Sequence, residues 1–494
     1  MSTDLDQHAR PPHPETEPDL GADAAVRRRR VAAVVIPAVL LIVAGVLRFY
    51  LLSHPERIYF DEVYYVEDAR QLLAVGVEQE FVVHPSIGKW IIAAGMAVFG
   101  DNAMGWRAGP ALMGSLTVLA TYLAGLRLFR RRGLAALAGL LVATDGMALT
   151  MSRITMLDAT LAFFVMIGFW LLLIDRDRQW RAVPDTPSPS PIPVPPRGHA
   201  YRWLAGLAFG LALATKWSAL LAIGAAGLFV LGSELAFRRR TTGRLLPGFH
   251  RIVLSGVATL LLVPTAVYVA SYAGWFINYE ENRRGQAQIA ECEEAGGDDC
   301  TIGIAQRISS WGNEQRQIFG FHTGLDADHG YRAHPATWPW MLRPVPYYFE
   351  SCPDDADAAE CEVASGNAAE VLGMGNPIFW WLASAAYLLA AVMIVWRRAW
   401  VPAAIMVFVL GQYVPWLVAD RPLFLFYMTP VVPFMALILA WAAGLAGRFR
   451  YARWVPAAVA VAAVAGFAYF YPVFVGLEIS YEAWYQRMWS DEWI

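Results

Sequence analysis

Charge is scarce in this chain. Asp, Glu, Lys and Arg make up 16% of its 494 residues while 57% are hydrophobic, a balance that leaves too little polar surface for an ordinary soluble globule. Cysteine is scarcer and confined: the four, Cys292, Cys300, Cys352 and Cys361, all fall within residues 277–376. No Walker loop is present and no G-x-G-x-x-G follows a strand pattern, which removes the common nucleotide-binding frameworks. Neither a basic patch nor a nucleic-acid motif stands out, so no nucleic-acid partner is expected. An internal repeat of the kind many transporters carry is also missing. The net charge of −3 says little about partners, because in so apolar a chain the placement of Lys and Arg matters more than their sum.

What is present is a series of long apolar runs. The first, residues 31–52, follows the arginine quartet Arg27 to Arg30 and a polar stretch rich in Pro, Asp and Glu. At about 20 residues it matches a bilayer core and exceeds a signal-peptide h-region. Further runs lie near 108–126, 133–151, 157–174, 203–217, 218–236, 252–276, 377–396, 400–418, 423–446 and 454–474. The expectation is an all-α polytopic membrane protein of about eleven spans. Residues 1–30 are expected to form a disordered cytoplasmic tail, 31–276 an N-terminal membrane module, 377–474 the C-terminal spans and 475–494 an outer tail. The segment "PDTPSPSPIPVPP", within 184–198, reads as an extended cytoplasmic linker.

With the N-terminus inside, the connections "LRLFRRRG", "FRRRTTGRLLPGFHR", "WRRAW" and "GRFRYAR" are cytoplasmic and Arg-rich, as the positive-inside rule requires. The same alternation places the first outer loop, 53–107, and the long loop 277–376 on the other side, with "MSRITMLD", "ATKWSA" and "ADRPLF". Cysteine restricted to that side is an oxidising-compartment signature. Local pairing, Cys292 with Cys300 and Cys352 with Cys361, is expected among the three connectivities. The short apolar segment "IGKWIIAAGMAVFG" is expected to lie along the outer surface.

Within the first outer loop, "RIYFDEVYYVEDARQLL" sets Asp61 and Glu62 side by side. Neighbours diverge by about 100° on a helix and about 180° on a strand, so the two cannot share one job. One reading has Asp61 capping a surface helix with Glu62 in its polarised first turn. The other makes one carboxylate a general base and the other an orienting group. His84 and Lys89 in "HPSIGKW", Arg107, Arg153, Asp158, Lys216 and Arg421 stand on the same outer face, and Asp145 lies within an otherwise apolar run. Charges at membrane depth usually face an internal cavity and a partner; so many on one face imply a polar cavity. A site with more cations than acids, beside lipid, suits a lipid phosphate as leaving group. Such a departing anion needs no general acid, and one base for an incoming hydroxyl suffices. The D-x-D triplets at Asp175, Asp326 and Asp355 are expected by chance among 42 acidic residues; no metal site and no cofactor is expected.

Taken in order along the chain, "YFDEVYY", "HPSIGK", "SRITMLDATLAFF", "ATKWSAL" and "RPLFLFYMTPVVPF" resemble the protein O-mannosyltransferase family in its bacterial branch, from about residue 31 onward. The resemblance implies the GT-C glycosyltransferase fold with eleven spans. It implies transfer of mannose, with inversion, from polyprenyl-phosphate-mannose to Ser or Thr of secreted proteins outside the cytoplasm, and the secretion translocon is a conceivable partner. Asp61 would be the catalytic base or its acceptor-positioning equivalent and Glu62 an essential supporting residue, with Arg107 anchoring phosphate or loop. Lys89, His84, Arg153, Asp158, Lys216 and Arg421 complete the expected substrate-binding set. The family's "HPPLGK" stands here as "HPSIGK", and the eukaryotic β-trefoil insertion has no counterpart in length. A GT-C transferase acting on lipid or polysaccharide is the alternative, and a transporter or flippase a third reading.

Overall fold

The computed structural model describes residues 20–79, 81–181, 199–243, 249–326, 329–353 and 361–494. The expected linker 184–198 lies outside these. The expected tail is partly replaced by helix, because α1 (Leu20–Phe49) begins before the arginine quartet. The first outer loop carries α2 (Glu62–Val75) and α3 (Ile87–Phe99). Next come α4 (Ala103–Phe129), α5 (Arg132–Ala143), α6 (Gly146–Arg153), α7 (Asp158–Arg181), α8 (Ala200–Leu213) and α9 (Ala219–Thr242). α10 (Phe249–Val257) runs through a π-helical turn into α11 (Val263–Ser271). The outer segment holds α12 (Ala273–Ile277), α13 (Arg283–Glu294), α14 (Ile304–Gly324) and the strands β1 (Val345–Ser351) and β2 (Asn367–Gly373). The chain closes with α15 (Pro377–Arg397), α16 (Trp400–Tyr413), α17 (Val432–Ala446), α18 (Val455–Val475), β3 (Ile479–Ser480) and α19 (Tyr481–Tyr485).

Among the described residues eight helices are long and apolar enough to cross a membrane, or nine if α5 and α6, bent by 55°, count as one span. The chain is therefore a multi-pass membrane protein, but the expected count of eleven is not reached on length. The two runs that fall short, 203–217 and 423–446, contain only α8 (14 residues) and α17 (15 residues). The helix stops short of Lys216 within the first run, and in the second it starts only well after Arg421, which lies just before the run. The chain from Arg421 to Pro430 winds through a single 3-10 turn, Leu425–Met428. Pro422, Pro430 and Pro433 remove backbone donors there.

The bundle has a graded interior. The α7 window is 78% buried and that of α1 only 11%, so α7 is the core and α1 faces lipid. α3 packs closely on α4, contrary to the expected surface-lying segment. A Cβ on Gly95 would stand 2.4 Å from Gly105 O, and one on Gly109 2.5 Å from Ile91 O; glycine is what permits that approach. Asp145 lies apart from the cavity that Asp61 lines. It caps α6 by accepting from Ala148 N at 2.9 Å and holds the start of α15 through Asn376 N at 2.9 Å and Trp380 Nε1 at 2.8 Å.

At the end of the bundle that carries residue 61, a three-stranded antiparallel sheet in the order β1–β2–β3 ties the outer segment to the C-terminus. Trp484 Nε1 donates to Glu370 Oε2 at 2.6 Å, so the C-terminal segment is docked. Cys292 pairs with Cys300, and Cys352 with Cys361.

Candidate active site

A cavity of about 380 Å³ opens at this end, within the usual range for a small-molecule site. Asp61 reaches it from the loop before α2, Asp158 from the first turn of α7, Lys216 from the break after α8, and Arg421 from the irregular stretch before α17.

The local backbone separates the two adjacent carboxylates. Phe60 sits at φ 55°, a left-handed conformation that is an outlier for an aromatic residue. Its ring is held edge-on at 4.9 Å from Tyr347, with Phe426 at 6.5 Å. Past this turn α2 begins, and Glu62 points into the protein while Asp61 lines the cavity. Glu62 Oε1 and Oε2 accept from Arg107 Nε and Nη2, both at 2.9 Å, and Thr155 N donates to Oε1 at 2.8 Å. Arg107 also donates to the carbonyls of Leu52, Pro55 and Arg57 at 3.2, 2.8 and 3.0 Å. The pair is a buried staple for the first outer loop.

Among the described residues the Asp61 side chain has no such partners. It occupies the N-cap position of α2 with helical backbone angles and makes no capping bond, so of the two readings the cap is not formed: αR angles turn the carboxylate away from the first-turn N–H groups. Burial raises its pKa above the ordinary carboxylate value; Lys216 and His329 oppose the rise and Asp158 adds to it. A carboxylate without a hydrogen bond, and with raised proton affinity, is chemically a base awaiting a donor.

In the same cavity Lys216 Nζ is fixed by Asp158 at 2.9 and 3.0 Å and lies 5.2 Å from the ring centre of Tyr427. Arg421 Nη1 donates to His322 Nδ1 at 3.2 Å and to its carbonyl at 3.3 Å, while His322 Nε2 meets Val83 O at 3.0 Å. These bonds place the His322 proton on Nε2, leaving Nδ1 to accept. His84 stacks 5.4 Å from His322. Burial pulls the pKa of His84 well below the ordinary value, and that of His322 below it, so both rings are neutral at pH 7. Two polar atoms here, His84 Nδ1 and Arg421 Nε, are buried with no partner among the described residues. Buried groups of this kind are normally satisfied, and in a cavity that points to a ligand.

The expected substrate-binding set thus divides. Asp61, His84, Asp158, Lys216 and Arg421 converge on the cavity; Lys89, Arg107 and Arg153 do not. Lys89 is fully buried between Asp68 at 3.0 Å and Glu78 at 3.4 Å and donates to Phe81 O at 2.8 Å. It closes the loop between α2 and α3. Arg153 donates to the carbonyls of Leu47, Arg48, Tyr50 and Leu51 at 3.3, 3.0, 2.7 and 2.9 Å, a cation on the C-terminal end of α1. His322, Trp217 and Tyr65 line the cavity and were not anticipated. His322 sits in the amphipathic α14, where no local pattern distinguishes it from a surface histidine. Among the described residues no group of three or more His, Cys, Asp or Glu is arranged to hold a metal ion.

Helices crossing a membrane, with an ionic cavity at one end beside the segment 277–376, are the arrangement of a membrane-embedded glycosyltransferase of the GT-C class. Residues 38–279 match the family described as dolichyl-phosphate-mannose-protein mannosyltransferase, and residues 308–493 match the C-terminal four-span region of protein O-mannosyltransferase. The chain belongs to this family. It is 33% identical to the polyprenol-phosphate-mannose–protein mannosyltransferase of Mycobacterium tuberculosis, over 88% of this chain and 86% of that one. With the protein of that name in Corynebacterium glutamicum it shares 28% identity over 88% of each. In fold it resembles the Saccharomyces cerevisiae Pmt1-Pmt2 complex solved with its sugar donor, with TM-score 0.75, 15% identity, and 93% of this chain and 92% of that one covered.

Proposed function

We propose that this protein transfers mannose from polyprenyl-phosphate-mannose to Ser or Thr hydroxyls of proteins. The observation that carries the reading is the Asp61 carboxylate, without a hydrogen-bond partner among the described residues, in a cavity that Lys216 and Arg421 also line. In one displacement Asp61 takes the hydroxyl proton, the oxygen forms a bond to the sugar C1, and the C1–O bond to phosphate breaks with inversion. The electron pair leaves with the lipid phosphate, toward Lys216 and Arg421. Asp158 orients Lys216 and leaves its remaining N–H free for an anion. No acid is needed, since a phosphate leaves as an anion.

Under this reading the catalytic machinery comprises the first outer loop, 53–107, with the ends of the spans in 31–276 and 377–474; Glu62 and Arg107 support it. The protein resides in the plasma membrane with its N-terminus cytoplasmic and its cavity facing outward. That orientation agrees with the Arg-rich connections and with four cysteines paired at the cavity end. Acceptors then arrive as chains leaving the secretion translocon. The test is to incubate purified protein with labelled polyprenyl-phosphate-mannose and a Ser/Thr-rich peptide, with and without chelator. Label in the peptide supports the reading; label only in an added glycolipid moves it to a lipid-glycosylating transferase.

A further inference from the structure

A second cavity, of about 410 Å³, lies at the opposite end of the bundle, where α4 and α7 finish and α16 starts. Arg130, Arg176 and Arg181 line it with the aromatic rings of Phe129, Trp180 and Trp400. One carboxylate, Asp177, lines the cavity. Asp177 stands 3.8 Å from Arg127 and 3.9 Å from both Arg130 and Arg176. Those separations exceed hydrogen-bonding distance. Arg176 is only 14% exposed in its side chain and lies 3.7 Å over the ring of Trp400, yet its N–H groups meet no hydrogen-bond acceptor among the described residues. Trp180 Nε1 is buried and likewise without a partner.

Arginine at this end of the spans follows from the positive-inside rule alone. That rule does not account for a cavity, for a half-stacked guanidinium with unmet donors, or for an orphaned indole N–H inside the same cavity. An anion with several acceptor oxygens would satisfy them together. The surroundings select an amphiphile: near the end of α15, just before the turn into α16, Trp396 is 80% exposed and Val395 73%, on a helix that faces lipid. We propose that this cavity binds the headgroup phosphate of an anionic phospholipid from the leaflet at that end, with its acyl chains along α15 and α16. The site is separate from the Asp61 cavity and independent of the sugar-transfer reading.

The test is lipid retention by the purified full-length protein, followed by native mass spectrometry and by the melting midpoint. Phosphatidylglycerol is titrated in one arm, with phosphatidylcholine and inorganic phosphate in two others. Phosphatidylglycerol is expected to be retained and to raise the midpoint, and the other two to do neither. Arg130→Gln changes a side chain that is 74% exposed, so the fold survives it, and Trp180→Phe removes only the N–H. Each is expected to weaken phosphatidylglycerol retention, by about tenfold for the lost charge. Unchanged retention in both variants would overturn the proposal, as would equal stabilisation by inorganic phosphate.

Discussion

At the scale of single residues the chemistry rests on which of two adjacent acids is left without partners. Asp61→Asn is expected to reduce sugar transfer by roughly 10²–10⁴-fold, the usual contribution of a general base. Stability should not fall. A carboxylate whose folded pKa is raised contributes most to stability below its unfolded value and loses that contribution as pH rises through the folded one. At neutral pH the ionised Asp61 is therefore a destabilising group, and the variant should melt at the same temperature or higher. For the same reason the acid limb of the kcat/KM profile should lie above the ordinary carboxylate value of about 3.9, and be absent from whatever activity Asp61→Asn retains. Lys216→Gln and Arg421→Gln should lower kcat more than they raise the donor KM, since their charge is met by an anion that develops in the transition state. The residues alone made the Asp-Glu pair conspicuous without separating its members; it was the family resemblance that assigned the base to Asp61. What separates them is the left-handed turn at Phe60, held by rings from β1 and from residue 426, far along the chain.

At the scale of elements, three of the expected site cations belong to the scaffold. Removing one partner of a fully buried ion pair typically costs about 3–5 kcal/mol, so Arg107→Gln and Glu62→Gln should each lower stability on that order. Combined, they should lose much less than the sum, which a double-mutant cycle measures. Arg153→Gln should release the end of α1, seen as faster hydrogen exchange from Leu47 to Leu51, with donor KM unchanged. Sequence reasoning placed all three on the correct face, because periodicity and charge placement report depth along a span. It could not tell a cation that lines a cavity from one that binds backbone carbonyls, because that depends on where helices end. The same limit explains the count of spans. Hydropathy marks 203–217 and 423–446 as apolar, but not that α8 ends before Lys216 or that the chain between Arg421 and α17 is irregular.

At the scale of the whole molecule, the outer segment is bound by short covalent loops whose existence was readable from where cysteine is and is not. Replacing a pair by serine, Cys292 with Cys300 or Cys352 with Cys361, opens loops of sequence separation 8 and 9. The expected loss is on the order of 2–3 kcal/mol for each, measured as proteolytic sensitivity of the outer segment while the spans stay protected. The ionic groups of the reaction, Asp61, Asp158, Lys216 and Arg421, all line one terminal cavity with His84 and His322. As the proton passes to Asp61 and the phosphate departs, one negative charge migrates from carboxylate to lipid within that cavity, and the total does not change. No charge is carried through the bilayer field, so turnover should be indifferent to transmembrane voltage.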